Sequence, residues 1–94
     1  MNYVYILKCS DGTFYTGYTN NLEKRISVHN KGKGAKYTRG RLPVKLIYFE
    51  EYDSKSEALH REFSIKKMTR QNKLHLIKNC QQPWYLYKLT DIIF

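Results

Sequence analysis

Apolar and aromatic positions cluster in two short stretches near the start of the chain, Tyr3 to Cys9 and Thr13 to Thr19. Both are rich in aromatic and β-branched residues, and Ser10-Asp11-Gly12 between them carries turn chemistry. The pattern predicts a β-hairpin. A two-residue Asp11-Gly12 turn would send Tyr5 and Tyr15 to opposite faces, whereas a three-residue loop with a left-handed Gly12 puts them on one face. The three-residue loop is the preferred reading. It sets Gly17 across from Tyr5, where a residue without a side chain leaves space for the ring and for a ligand approaching the backbone.

The period then changes from strand to helix. Asn20, with Glu23 three residues on, reads as an N-cap and its partner, and the helix runs to about Lys31. Leu22, Arg25, Ile26 and His29 fall at i, i+3, i+4 and i+7, so a guanidinium and an imidazole share the buried stripe with two aliphatics. They could serve packing alone, Arg25 paired with a carboxylate such as Glu62 and His29 hydrogen-bonded in the core, or they could form a polar site. After Pro43, Val44 to Tyr52 reads as a third strand. Ser54-Lys55-Ser56-Glu57 fits a capping box, and Ala58, Leu59, Phe63, Ile65 and Met68 form an apolar arc up to about Thr69. Glu62 lies between Ala58 and Leu59 on the helical wheel and projects toward the sheet. Thr69 caps a third helix through Leu74, Leu76 and Ile77 to about Asn79. The element order is β-β-α-β-α-α.

A chain of 94 residues, 41% hydrophobic, supports one domain with one modest core, assigned to residues 1–80. Gln81 to Phe94, with Trp84-Tyr85-Leu86-Tyr87 and Ile92-Ile93-Phe94, is too apolar for an ordinary disordered terminus. It is expected to pack on the domain, to add a strand to the sheet edge, or to contact a protein partner or a second copy. No apolar run approaches the roughly 18 residues of a membrane span, and Met1 leads into strand-like sequence rather than a signal peptide, so a cytoplasmic protein is expected. Cys9 and Cys80 form no CxxC pair, which argues against zinc and disulfides and for two buried free thiols.

Charge changes the picture most. A net +9 arises from 17 Lys and Arg against 8 Asp and Glu, and nine tyrosines dominate the aromatic residues. Basic charge with stacking rings favours a polyanionic partner, nucleic acid before membrane. Residues 24–45 carry no acidic residue, and within them Lys31, Lys33, Lys36, Arg39 and Arg41 are interleaved with glycines, which suits a mobile loop following a phosphate backbone. Such contacts position a protein without reading bases, so selectivity is expected for nucleic-acid shape. Tyr3-Val4-Tyr5 and Tyr15-Thr16-Gly17 would bring three ring hydroxyls together beside Arg25.

Taken together, these residues resemble the GIY-YIG nuclease domain, in particular its small single-domain branch related to the incision subunit of bacterial excision repair. Tyr3-Val4-Tyr5 is similar to the first signature triplet and Tyr15-Thr16-Gly17 to the second, with Thr16 where the family has isoleucine. Asn21-Leu22-Glu23-Lys24-Arg25 with His29 resembles the helix that follows. The Gly32-Lys33-Gly34-Ala35-Lys36 loop, and Glu57-Ala58-Leu59 leading to Glu62, resemble the small branch. The likeness covers residues 3–80.

The resemblance implies a compact α/β (α+β) fold, a small three-stranded antiparallel sheet flanked by helices. It also implies hydrolysis of DNA phosphodiester bonds with one divalent metal ion, Mg²⁺ or Mn²⁺, held by Glu62 and by water. Tyr5 would activate a water, Tyr15 support it, Arg25 stabilise the transition state and His29 relay a proton, and the family's downstream asparagine would be Asn72 or Asn79, between which the spacing does not choose. Two other classes of function fit the same residues. One is a nucleic-acid-binding module with little catalysis, and the other is an interaction subunit of a repair complex that docks through its apolar tail.

Overall fold

Val4-Tyr5-Ile6-Leu7 is an unbroken buried run, which needs cover on both faces of the sheet and so marks a central strand. The computed structural model describes residues 1–79 and bears this out. β1 (Asn2–Lys8) lies between β2 (Phe14–Thr19) and β3 (Lys45–Tyr52) in a three-stranded antiparallel sheet of order β2-β1-β3. Four helical segments complete the described chain: α1 (Leu22–Asn30), α2 (Lys36–Arg39), α3 (Lys55–Lys66) and α4 (Arg70–Lys78). The predicted order is therefore present, with the extra turn α2 inserted before β3. Cys80 and the apolar segment 81–94 lie outside the described residues.

The hairpin has the predicted three-residue loop. Cys9 N–H donates to the Thr13 carbonyl at 2.8 Å, and Gly12 takes φ 84°, a conformation that favours glycine. Asp11 closes the turn from within, accepting from Thr13 N–H at 3.1 Å and from the Thr13 hydroxyl at 2.6 Å. The register pairs Tyr5 with Gly17 and Leu7 with Tyr15, so Tyr5 and Tyr15 share a face. On β3 the ladder slips between Ile6 and Leu7, pairing Ile6 with Tyr48 but Leu7 with Leu46. Ile47 is the extra residue of a bulge, which lets Leu46 and Phe49 face the same side although they are three positions apart.

Each face of the sheet has its own apolar cluster. Leu22 and Ile26 of α1 pack with Tyr5, Leu7, Cys9, Val44, Leu46 and Phe49. Ala58 and Ile65 of α3 pack with Val4, Ile6 and Tyr48 on the other face, and Met68, Leu76 and Ile77 close that side. Cys9 is buried and free, as expected. Among the described residues no helix is long and apolar enough to cross a membrane.

Local caps fix the helix starts. Asn21, not Asn20, caps α1, its side chain accepting from Lys24 N–H at 3.1 Å. The shift of one residue follows from Thr19, whose hydroxyl accepts from Asn21 N–H at 3.1 Å and turns the chain just before the helix. Ser54 and Thr69 cap α3 and α4 as predicted, accepting from Glu57 and Asn72 N–H at 3.0 and 3.1 Å. The predicted apolar arc of α3 is narrower in the structure. Ala58 and Ile65 are buried, but Leu59 and Phe63 are 41% and 58% exposed, and Lys67 covers the Phe63 ring at 4.1 Å. The inward stripe is completed instead by Arg61.

Arg61 clamps α3 to β3. Its Nε and Nη2 donate to the Glu50 carboxylate at 2.9 and 3.1 Å, and the Tyr48 and Tyr52 hydroxyls donate to the same group. Burial favours the neutral carboxyl, but the hydrogen bonds from Arg61, Tyr48 and Tyr52 outweigh it, so Glu50 stays ionised to lower pH than an ordinary glutamate. A carboxyl lowered on folding stabilises the protein above its unfolded pKa, and that stability is lost as pH falls through the folded value. Acid titration of thermal stability should show this loss below the ordinary glutamate range, and Glu50→Gln should flatten it while lowering stability at neutral pH.

Candidate active site

The hairpin, α1 and α2 converge on one buried polar chain. Tyr5 and His29 are 1% and 0% exposed, and the Tyr5 hydroxyl lies 3.0 Å from His29 Nε2. His29 Nδ1 lies 2.9 Å from the hydroxyl of Thr38, itself fully buried on α2. The Thr38 hydroxyl donates to the Ala35 carbonyl at 2.9 Å, which leaves it to accept from His29 Nδ1–H. The imidazole is then the Nδ1–H tautomer, and its Nε2 accepts the Tyr5 proton. This polarity satisfies every group. Arg25, itself half-buried, donates its Nε–H to the Tyr5 oxygen at 3.4 Å.

The electrostatics agree with that assignment. Burial, chiefly, pushes the Tyr5 phenol up to about 12, against the lowering effect of the Arg25 hydrogen bond. Burial and then the Arg25 charge push the His29 imidazole down to about 4. Both groups are neutral at pH 7, a phenol donating to an imidazole. The Tyr5 oxygen, having donated its proton and accepted one N–H, keeps a lone pair for a further donor.

Two glycines make the chain possible. A Cβ on Gly17 would overlap the Tyr5 hydroxyl and sit 2.6 Å from its Cζ, and a Cβ on Gly34 would overlap His29 Nδ1 and sit 2.7 Å from its Cγ. Gly17 is thus required by the close approach inferred from the hairpin register. Gly34 lets the basic segment lie against the imidazole. That segment is not a continuous loop. Lys33 N–H donates to the Val28 carbonyl at 3.1 Å, and α2 follows with Thr38 as its buried anchor. Replacing Thr38 by valine leaves a buried Nδ1–H without an acceptor and should cost about 1–3 kcal/mol. Thr38→Ser should recover most of that in thermal unfolding.

The structure gathers some predicted site residues and separates others. Tyr5, Tyr15, Arg25 and His29 lie together, with the Tyr15 ring centroid 5.3 Å from that of His29 and 6.4 Å from that of Tyr5. Tyr3 stands apart, packed edge-on to Phe49 at 6.0 Å. The third ring at the site is Tyr37 of α2, stacked on Tyr15 at 6.1 Å. Glu62 is half-buried on α3, near enough that its charge raises the Tyr5 pKa, and it pairs with Lys66 at 3.1 Å rather than with Arg25. Asn72 is exposed on the first turn of α4, where its backbone N–H is held by Thr69, and its side chain makes no hydrogen bond to the cluster.

Of the basic residues, Lys31, Lys33, Lys36 and Arg39 are exposed. Arg41 is committed instead: its Nε pairs with Asp11 at 3.0 Å, Nη1 donates to the Tyr37 carbonyl at 2.8 Å, and the guanidinium lies 4.1 Å from the Tyr37 ring. Sequence reasoning missed Thr38, Gly34 and Tyr37. The visible signal was weak, a ring and a hydroxyl side by side within a cationic stretch.

The family model described as the GIY-YIG catalytic domain matches residues 1–75, so the elements from β1 into α4 fall within it, and the chain belongs to that family. Its relatives are small single-domain proteins. A UPF0213 protein of Clostridium perfringens is 67% identical over 79 residues, 84% of this chain and 85% of the relative. A UPF0213 protein of Streptococcus agalactiae is 59% identical over 76 residues, 81% and 86% of the two chains. The solution structure of a UPF0213 protein from Bacillus halodurans matches with TM-score 0.58 at 47% identity, over 89% of this chain and 90% of that one.

Proposed function

We propose that the protein is an endonuclease that hydrolyses DNA phosphodiester bonds with one divalent cation, selecting nucleic-acid structure more than base sequence. The observation that supports this best is the Tyr5 oxygen, buried between a neutral His29 and Arg25 with one lone pair left, in a GIY-YIG catalytic domain. An attacking water gives its proton to that oxygen while the Tyr5 proton passes to His29 Nε2. Neither group then needs to be ionised beforehand. Burial first, and the uncompensated Arg25 charge second, make the imidazole a poor base, and a phosphate bound on Arg25 would offset the second of these and raise its proton affinity. Arg25, which also bonds the Tyr15 side chain, has further N–H groups for phosphate oxygens, which its planar fork suits. The Tyr15 hydroxyl would support the same water and phosphate.

Glu62 is the residue that would hold the cation. Among the described residues no group of three or more His, Cys, Asp or Glu side chains comes together, so a cage of protein ligands is excluded there. One half-buried carboxylate, whose charge is felt at Tyr5, does fit a hard cation that keeps most of its water, Mg²⁺ or Mn²⁺. Bound there, it would offset negative charge on the scissile phosphate and the leaving oxygen.

Exposed Lys31, Lys33, Lys36 and Arg39 favour a second reading, a nucleic-acid-binding module with little catalysis. Purified wild type and Glu62→Ala, compared on duplex, branched and single-stranded DNA with Mn²⁺, Mg²⁺ or chelator, separate the two. Metal-dependent cutting by wild type alone is expected, with Glu62→Ala binding DNA but not cutting it. Equal binding and no cutting by either protein would establish the second reading.

A further inference from the structure

Beside Tyr15, where the edge strand β2 meets α2, α3 and α4, lies a cavity of about 200 Å³ lined by Phe14, Tyr15, Thr16, Tyr37, Lys66 and Lys73. Two observations there have no explanation in the proton relay or in packing. The Thr16 hydroxyl is buried and has no hydrogen-bond partner, the one such side-chain atom among the described residues. An orphaned buried hydroxyl costs free energy and is rarely kept without a use. Lys73 is half-buried and has no acidic partner among the described residues. Lys66 faces the same cavity, and burial together with the Lys66 charge makes the Lys73 ammonium easier to deprotonate than an ordinary lysine. Two cations and a free hydroxyl around aromatic walls are arranged for an anion that carries a flat ring.

We propose that this cavity is a subsite for one nucleotide next to the bond being cut, its phosphate on Lys66, Lys73 and the Thr16 hydroxyl and its base edge-on to the Phe14 and Tyr37 rings, over which Arg70 and Arg41 already lie at 4.4 and 4.1 Å. The proposal rests on the nuclease reading and adds a determinant of substrate choice to it. Its place follows from shared residues: Tyr15 belongs to both the relay and the cavity wall, and Lys66 is the ion-pair partner of Glu62. The volume lies below the roughly 300–1,000 Å³ of sites for drug-sized ligands, which suits a single base rather than a stacked pair. A base that enters must leave its complement. The substrate class is therefore DNA with an unpaired nucleotide beside the scissile phosphate, because unpairing costs least where the base is already single-stranded.

The test uses the full chain in chelator, so that cutting plays no part. Thymidine 3′,5′-bisphosphate, inorganic phosphate and thymidine are titrated in turn and followed by amide NMR shifts. The bisphosphate should move the signals of Phe14, Thr16, Tyr37 and Lys73, and inorganic phosphate should bind at least tenfold more weakly. Lys73→Gln and Thr16→Val should each weaken the bisphosphate about tenfold, the loss of one contact to a charged group. Both variants should remain at least as stable as the parent, since one removes a repelled charge and the other an unpaired hydroxyl, so lost binding would not reflect unfolding.

Equal binding of inorganic phosphate, shifts elsewhere, or unchanged affinity in both variants would overturn the proposal. Binding at these residues by a protein that cuts no DNA with metal would refute the nuclease reading and leave the nucleotide site standing. Cutting with unchanged KM in Lys73→Gln, and unchanged bisphosphate affinity, would do the reverse.

Discussion

Tyr5→Phe is expected to slow DNA cleavage by about 10²–10⁴-fold, the range for loss of a positioned acid–base group. The substitution removes a single oxygen, but that oxygen joins three groups: it donates to His29, accepts from Arg25 and has a lone pair for the attacking water. The ring and its packing against Gly17 remain, so the fold should be kept. His29 Nε2 loses the one hydrogen bond it makes among the described residues, in a fully buried position, which should lower stability by about 1–3 kcal/mol. Single-turnover cleavage and DNA binding measured together would check this. A Tyr5→Phe protein that binds DNA normally and cuts at the wild-type rate would remove Tyr5 from the chemistry.

Gly17→Ala should be nearly as damaging by a different route. The added methyl would overlap the Tyr5 hydroxyl and lie 3.1 Å from Tyr15 Cε2, so two rings would have to move. Tyr5 cannot swing into water, being 1% exposed and wedged between sheet and α1. Overpacking of this kind costs about 1–3 kcal/mol, and any shift of Tyr5 breaks its alignment with His29. The expected result is a folded, less stable protein with cleavage reduced by about 10²-fold or more. Thermal unfolding and cleavage would test it, and Gly12→Ala offers a contrast. There a Cβ meets no neighbour within 4 Å and any cost comes from φ 84° alone, so the turn should weaken while the site stays in register.

Most of the fold was legible because its signals are local. The Ser10-Asp11-Gly12 turn fixed the face of Tyr5 and Tyr15, and the caps Ser54 and Thr69 fixed the starts of α3 and α4. Where sequence reading fell short, tertiary contacts decided. Leu59 and Phe63 look apolar on a wheel, yet the sheet contacts only the stripe of Ala58 and Ile65, while Arg61 turns inward because Glu50, eleven residues earlier on another element, offers it a carboxylate. The relay was half legible. Arg25 and His29 share a visible helical stripe, but the partner of His29 Nδ1 sits on a four-residue helix inside a cationic stretch, where charge obscures the pattern of burial.

The hairpin tip has a consequence for how this chain can vary. Exposed polar turns are ordinarily where proteins accept insertions and deletions. Here the loop length is also what decides which side of the sheet receives every residue of β2. Deleting one residue from Ser10-Asp11-Gly12 would invert the strand, carrying Tyr15 and Gly17 to the α3 side and placing a side chain against the Tyr5 ring. Arg41 adds a second tether, since its carbonyl accepts from Ser10 N–H at 2.9 Å while its guanidinium holds Asp11. The most solvent-exposed corner of the hairpin should therefore tolerate changes of residue far better than changes of length.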